Sequence, residues 1–164
     1  MPGDLLTTTD GVDTADLLSC CASRRWAEQV AARGPFADLD DLVAASAEVL
    51  AGLDWSDVLE ALAAHPRIGD RAGGADRESG WSRQEQSAAA TADDRIRADL
   101  VEGNRVYEER FGHVFLVCAT GLPAEAVLAA LRHRLTNDET GERRAVRGEL
   151  AKIVELRLGK LVGR

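Results

Sequence analysis

Residues 138–161 read DETGERRAVRGELAKIVELRLGKL, and this stretch decides the fold class. At 3.6 residues per turn, Val146, Leu150, Ile153, Arg157 and Leu161 share one narrow stripe, the signature of an amphipathic helix rather than the two-residue alternation of a strand. Arg157 stands near the middle of that apolar stripe. A buried guanidinium needs an anion, because an unpaired buried charge is costly. Glu85 or Glu149 could supply it structurally, and a substrate carboxylate held by both arms of the guanidinium could do so equally well. The Arg and Glu runs in 139–149 read as a solvated helix face.

Working back towards the start of the chain, Pro123 suits the first turn of a helix running to about Leu135. The apolar run Phe115-Leu116-Val117-Cys118-Ala119 lies between Gly112 and Gly121, and residues 114–119 are short enough to be a strand or neither element. A long helix is expected from Ser82 to about Arg110. On it Asn104 interrupts the stripe of Ile96, Leu100, Tyr107 and Phe111, and a buried amide there is expected to fix the helix through a hydrogen bond. Nearer the start, Asp13 or Thr14 caps a helix to about Ala32, with Leu17, Leu18, Cys21, Trp26 and Val30 as core contacts. Gly34-Pro35 interrupts it, and shorter helices follow over about Leu39–Leu50 and from near Asp54 to Ala64. The expected fold is all-α: one compact helical bundle of roughly seven to nine helices over 13–164, with 1–12 as a flexible lead-in.

Composition agrees with that reading. In 164 residues, hydrophobic side chains make up 45% and charged ones 29%, a globular balance, while aromatics at 4% disfavour sheet. A net charge of −8 argues against a nucleic-acid partner, yet one well-placed Arg can still hold a small anion. No apolar stretch is long enough to span a membrane, and the first residues lack the order of a secretion signal, so a cytoplasmic setting is expected. Cys20, Cys21 and Cys118 have no zinc-ligand spacing and read as small buried residues, although the role of the adjacent pair stays open. His113 and His133 are not spaced as metal ligands, so no metal site is expected.

His65 closes a helix and precedes Pro66, which pushes its backbone towards extended geometry. It could cap the last helical carbonyls, or it could transfer protons at near-neutral pH. The glycine-rich segment that follows, 65–81, is the longest irregular stretch in the interior, and its part from 70 is expected to lie near a pocket and order with ligand. Ser82-Arg83-Gln84-Glu85 has capping-box spacing, with Gln86 about 100° further round the helix. A capping use and an anion-binding use of that turn are compatible.

These residues in this order resemble a known family. Cys20-Cys21-Ala22-Ser23 with Trp26, Pro35-Phe36, His65-Pro66-Arg67-Ile68-Gly69, Ser82-x-x-Glu85-Gln86, Asn104-x-x-Tyr107-x-x-Arg110-Phe111-Gly112, Phe115 to Gly121, Arg134-Leu135-x-Asn137 and Leu156-Arg157-Leu158 are similar to the 2-oxo-4-hydroxy-4-carboxy-5-ureidoimidazoline (OHCU) decarboxylases of urate degradation. The resemblance covers nearly the whole chain after the lead-in. It implies a compact helical protein, commonly dimeric, that turns OHCU into (S)-allantoin and CO2 without metal or organic cofactor. It implies that His65 is the acid/base, that Glu85 orients it, and that Arg157 is the active-site arginine. Pro66, Ser82 and Gln86 match substrate-contacting positions, and the backbone of Phe115, Leu116, Val117, Cys118 and Ala119 matches the segment that meets the ring and ureido edge. Two positions depart from the pattern: His113 stands where many members carry an aromatic or apolar residue, and Gly34 where an Arg precedes the proline.

Two rival classes remain at this level. One is a helical ligand-binding or regulatory module that has lost turnover, which the presence of His65, Glu85 and Arg157 argues against. The other is an acidic interaction domain without a pocket, for which buried Arg157 and Asn104 would be a poor choice of core residue. A family member acting on a related ureido or imidazolone acid is a finer alternative.

Overall fold

Asp13 begins the first helix with a reciprocal cap: its carboxylate accepts the Asp16 amide at 2.9 Å, and the Asp16 carboxylate accepts the Asp13 amide at 3.3 Å. In the computed structural model of the chain, residues 12–68, 77–85 and 94–163 are described. They form eight helices: α1 Thr14–Cys20, α2 Arg24–Ala32, α3 Leu39–Gly52, α4 Trp55–Leu62, α5 Arg77–Glu85, α6 Asp94–Phe111, α7 Ala124–Arg134 and α8 Glu139–Leu161. No strand occurs among the described residues, so 114–119 is neither strand nor helix. The all-α expectation holds.

Two element boundaries differ from the sequence reading. The helix expected from Asp13 to Ala32 is two helices, because Ser23 acts as a second cap. Its Oγ accepts the Trp26 amide at 3.2 Å, while Cys21 is extended at φ −151° and ψ 120°. The second difference lies at Ser82, which is not a helix start but an interior residue of α5. The Gly80 read as part of an irregular segment is inside that helix, where an isolated glycine is tolerated at a cost of about 1 kcal/mol. Residues 82–85 and 94–110 of the long helix expected there are helical, and 86–93 lie outside the described residues, as do 69–76 of the expected loop.

The chain groups into two compact units. The first comprises the described residues to Ala61 together with Ala151 onwards. In it α1 packs on α2 and α2 on α3, with Leu17, Trp26, Val30, Leu42, Val49, Val58, Ile153, Val154 and Leu158 buried. The Trp26 indole N–H is satisfied by Ser46 Oγ at 3.2 Å, as a buried indole requires.

The second unit is Leu62–Leu150. Here α6 packs on α7 around Ile68, Leu100, Tyr107, Phe115, Val117, Val127, Leu128 and Leu131. Contact between these helices is close at Gly103, where a Cβ would collide with the Leu131 side chain. At Gly148 on α8 a Cβ would meet nothing within 4 Å. Opposite outcomes therefore follow from the same substitution. In thermal denaturation Gly148→Ala should raise the midpoint, by the helix propensity gain of about 1 kcal/mol. Gly103→Ala should lower it, because overpacking costs about 1–3 kcal/mol and outweighs that gain.

Candidate active site

His65 follows the last turn of α4, and its amide donates to the Leu62 carbonyl at 2.9 Å before Pro66 removes the next donor. The imidazole is half-buried, with Nε2 shielded from solvent. Pro66 is half-buried as well. Two side chains of α6 fasten the segment that follows: Asn104 Nδ2 donates to the Ile68 carbonyl at 2.8 Å, and Arg67 Nε donates to Glu108 Oε2 at 2.7 Å. Asn104 is thus buried to fix backbone, as its place in an apolar stripe suggested. Its Oδ1 has no hydrogen-bond partner among the described residues.

On α5, Ser82 is buried and Glu85 half-buried. Three residues apart on one helix, they share a face. Gln86 lies outside the described residues.

The run Phe115–Ala119 is the irregular part of the second unit's core, with Phe115, Leu116, Val117 and Ala119 buried and Cys118 partly so. Buried backbone outside helices needs partners from side chains. Arg134 Nη1 donates to the Leu116 carbonyl at 2.9 Å, and the Cys118 amide donates to Glu149 Oε1 at 3.0 Å. The Ala119 carbonyl accepts from the Leu122 amide at 3.0 Å. None of the described residues engages the N–H or C=O of Val117.

Arg134 belongs to a buried polar network that the sequence reading did not single out. Its Nε and Nη2 donate to the Glu142 carboxylate at 2.8 and 2.5 Å, Asn137 Nδ2 adds a bond at 3.1 Å, and the Tyr107 hydroxyl donates to the same carboxylate. The guanidinium also lies 5.0 Å from the centroid of the Phe115 ring. Burial raises the Tyr107 hydroxyl far above its ordinary range, with its bond to Glu142 adding to the effect. For Glu142 burial is the largest influence and acts upwards, but the bonds from Arg134 and Tyr107 together outweigh it and hold the carboxyl below its ordinary value of 4.5. The reading of 139–149 as wholly solvated is therefore corrected: Glu142 is completely buried. It stands one turn before Val146 and two before Leu150, so the stripe that exposed Arg157 to notice extends back to it. Arg134 was equally visible as the continuation of Val127 and Leu131.

His113 fits the same cluster. Its ring meets Tyr107 edge-on at 5.5 Å and stacks on Phe111 at 6.3 Å, so it occupies an aromatic position.

Arg157 belongs to the first unit and is completely buried, with Nη1 donating to the Cys20 carbonyl at 3.4 Å. His65, Pro66, Ser82, Glu85 and the 115–119 run belong to the second. Among the described residues no group of three or more His, Cys, Asp or Glu side chains is arranged to hold a metal ion, and no helix is long and apolar enough to cross a membrane.

The family model described as OHCU decarboxylase matches residues 8–159. The chain belongs to the OHCU decarboxylase family. It is 34% identical over 146 residues to the Arabidopsis thaliana uric acid degradation bifunctional protein TTL, covering 87% of this chain and 45% of that protein. It thus spans less than half the length of that relative. To the OHCU decarboxylase of Haloferax volcanii it is 28% identical, covering 82% of this chain and 79% of the other. A crystal structure of an OHCU decarboxylase in the presence of (S)-allantoin superposes with a TM-score of 0.78 at 29% identity, over 90% of this chain and 96% of that one. An (S)-allantoin synthase at 18% identity shares the fold, with a TM-score of 0.69 over 96% of this chain and 54% of that one.

The buried Arg134–Glu142 pair makes a stability prediction. A carboxyl whose folded pKa is lowered stabilises the protein above the ordinary carboxylate value, and that contribution is lost as pH falls through the folded value. Glu142→Gln should destabilise the fold by about 3–5 kcal/mol at neutral pH, because it leaves the Arg134 charge buried without its counter-ion. In urea titrations from pH 7 to pH 3, the wild type should lose stability below about 4.5, and the variant should lose less over that limb.

Proposed function

We infer that this chain is a carboxy-lyase that decarboxylates OHCU to (S)-allantoin and CO2 in urate degradation. The observation that carries the reading is the family match across 8–159, in a chain that retains His65, Glu85 and Arg157. A regulatory module that had lost turnover would have no reason to keep all three.

The substrate carries a carboxylate and a hydroxyl on one ring carbon, beside a C=N bond. When the bond to the carboxylate breaks, its electron pair forms a new carbon–carbon double bond and the C=N electrons move to nitrogen, which takes up a proton. CO2 leaves and an enol remains. The hydroxyl then gives up its proton while the neighbouring carbon gains one, which yields the ketone and a stereocentre. Because the substrate supplies its own electron sink, the assignment includes no metal or organic cofactor.

His65 takes the hydroxyl proton and delivers one to carbon, so the face it covers sets the handedness. Its place at a corner fixed to α6 supports that role, since proton transfer requires geometry before pKa. Glu85 holds the tautomer and orientation of the imidazole. Arg157 holds an anionic or carbonyl oxygen of the substrate, a role that suits a fully buried guanidinium. Pro66, Ser82 and Gln86 contact the substrate, and the backbone of 115–119 meets its urea-like edge, where donors and acceptors pair. On the family resemblance we extend the proposal to a cytoplasmic homodimer.

The test generates OHCU in place from urate with a urate oxidase and a hydroxyisourate hydrolase and follows chiral allantoin by circular dichroism. The wild type should accelerate formation of the S form; racemic product at the spontaneous rate would sink the reading. His65→Ala should fold normally and lose about 10²–10⁴ in rate, the usual worth of one general acid–base group. Undiminished activity in that variant would remove His65 from the chemistry while sparing the family assignment.

A further inference from the structure

We propose that Glu149 is a positioning residue for the substrate-binding backbone: by holding the Cys118 amide, opposite Arg134 on the Leu116 carbonyl, it presents the N–H and C=O of Val117 to the ureido edge. The proposal rests on the functional reading above and deepens it, because it names one backbone pair within the run as the reader of the ureido edge and the side chains that hold its two neighbours.

Three backbone groups of the run are already bonded within the protein. Leu116 C=O is taken by Arg134 at 2.9 Å, Cys118 N–H by Glu149 at 3.0 Å and Ala119 C=O by the Leu122 amide at 3.0 Å. Val117 lies between the two side-chain clamps, and the described residues leave both its backbone groups unengaged. One residue thereby offers a donor and an acceptor side by side. A ureido group offers the complement, an N–H beside a carbonyl, so a two-point match is available to it that a simple carboxylic acid lacks. The Val117 side chain is buried in the same cluster as Phe115 and Ala119, which fixes the backbone from the other side.

The clamps differ in kind. Arg134 is bonded to Glu142, whose carboxylate Tyr107 and Asn137 also hold, so it is inseparable from the stability of the unit. Glu149 is only partly buried and carries its bond to Cys118 from α8, outside the Arg134–Glu142 pair. It is therefore the residue to test.

Glu149→Ala removes the acceptor, whereas Glu149→Gln keeps an amide oxygen that can still take the Cys118 N–H. In the coupled assay, Glu149→Ala should raise KM on the order of tenfold with kcat little changed, because a Val117 backbone no longer held in place binds the ureido edge less well in ground and transition state alike. Glu149→Gln should recover most of that loss. By NMR the Cys118 amide should exchange faster with solvent in Glu149→Ala than in Glu149→Gln, and (S)-allantoin titrated into the folded variants should follow the same order. Equal defects in Ala and Gln variants would assign the effect to charge and overturn the proposal. So would an unchanged KM in Glu149→Ala with an active wild type. A wild type that makes no (S)-allantoin would instead sink the functional reading, while the amide-exchange arm would still report whether Glu149 holds the backbone.

Discussion

A backbone amide or carbonyl that is buried outside a helix must be given a partner by a side chain, and four polar side chains of this protein meet that demand. Asn104 reaches the Ile68 carbonyl, Arg134 the Leu116 carbonyl, Glu149 the Cys118 amide and Arg157 the Cys20 carbonyl. Each of these side chains stands on a helix, and each ends on backbone at or beyond the end of another helix. The helices satisfy their own backbone, so polar burial is concentrated where the chain leaves them. Those are also the segments to which the proposed chemistry is assigned.

The Arg134–Glu142 pair shows how far this goes. Burying two charges is costly, and a pair of apolar residues would commonly hold a core as well or better. The pair is nevertheless completed by Tyr107 from α6, Asn137 from the α7–α8 turn and the Leu116 carbonyl, so every donor of the cluster has a use. An apolar replacement could pack the same volume, but it could not hold the Leu116 carbonyl. The polar network is thus explained by the irregular run it anchors and not by stability alone. The edge-on contact of Phe115 with Tyr107, at 5.3 Å between ring centroids, ties the same run to α6 through packing as well.

The helices were legible in the sequence because their signal is local. The cap at Asp13, the Pro123 start of α7 and the periodic stripe on α8 each lie within a few residues of sequence, and the structure places the ends of α3, α4, α7 and α8 within about two residues of expectation. The break at Cys21–Ser23 was less visible, since Ser23 can sit inside a helix as well as cap one, and only its bond to the Trp26 amide decides between them. Ser82 misled in the opposite way: its spacing to Glu85 has the form of a cap, but α5 begins five residues earlier. Of the candidate site, Arg157 and Asn104 announced themselves as polar residues in apolar stripes. Glu142 carried the same mark but was surrounded by Arg143, Arg144 and Arg147, and a charged neighbourhood hides one buried charge among exposed ones. Nothing in a sequence says which carbonyl a guanidinium will find.

The proposed reaction gives a reason for this distribution of polar groups. A substrate that supplies its own electron sink asks little of the protein in chemical reactivity and much in placement: one proton-transfer group, one anion partner and a surface that recognises the ureido edge. His65 sits just beyond α4, in a segment whose next residues are bonded to α6 by Arg67 and Asn104. A histidine held this way loses little freedom when substrate arrives, so less binding energy goes into ordering it. The same holds for Val117, whose neighbours on both sides are already bonded. Reading a ligand with backbone rather than side chains also frees the recognising groups from rotamer entropy, provided the backbone is held. Arg134 and Glu149 meet that condition from α7 and α8, so the proposed recognition at Val117 would depend on residues that need never touch the substrate.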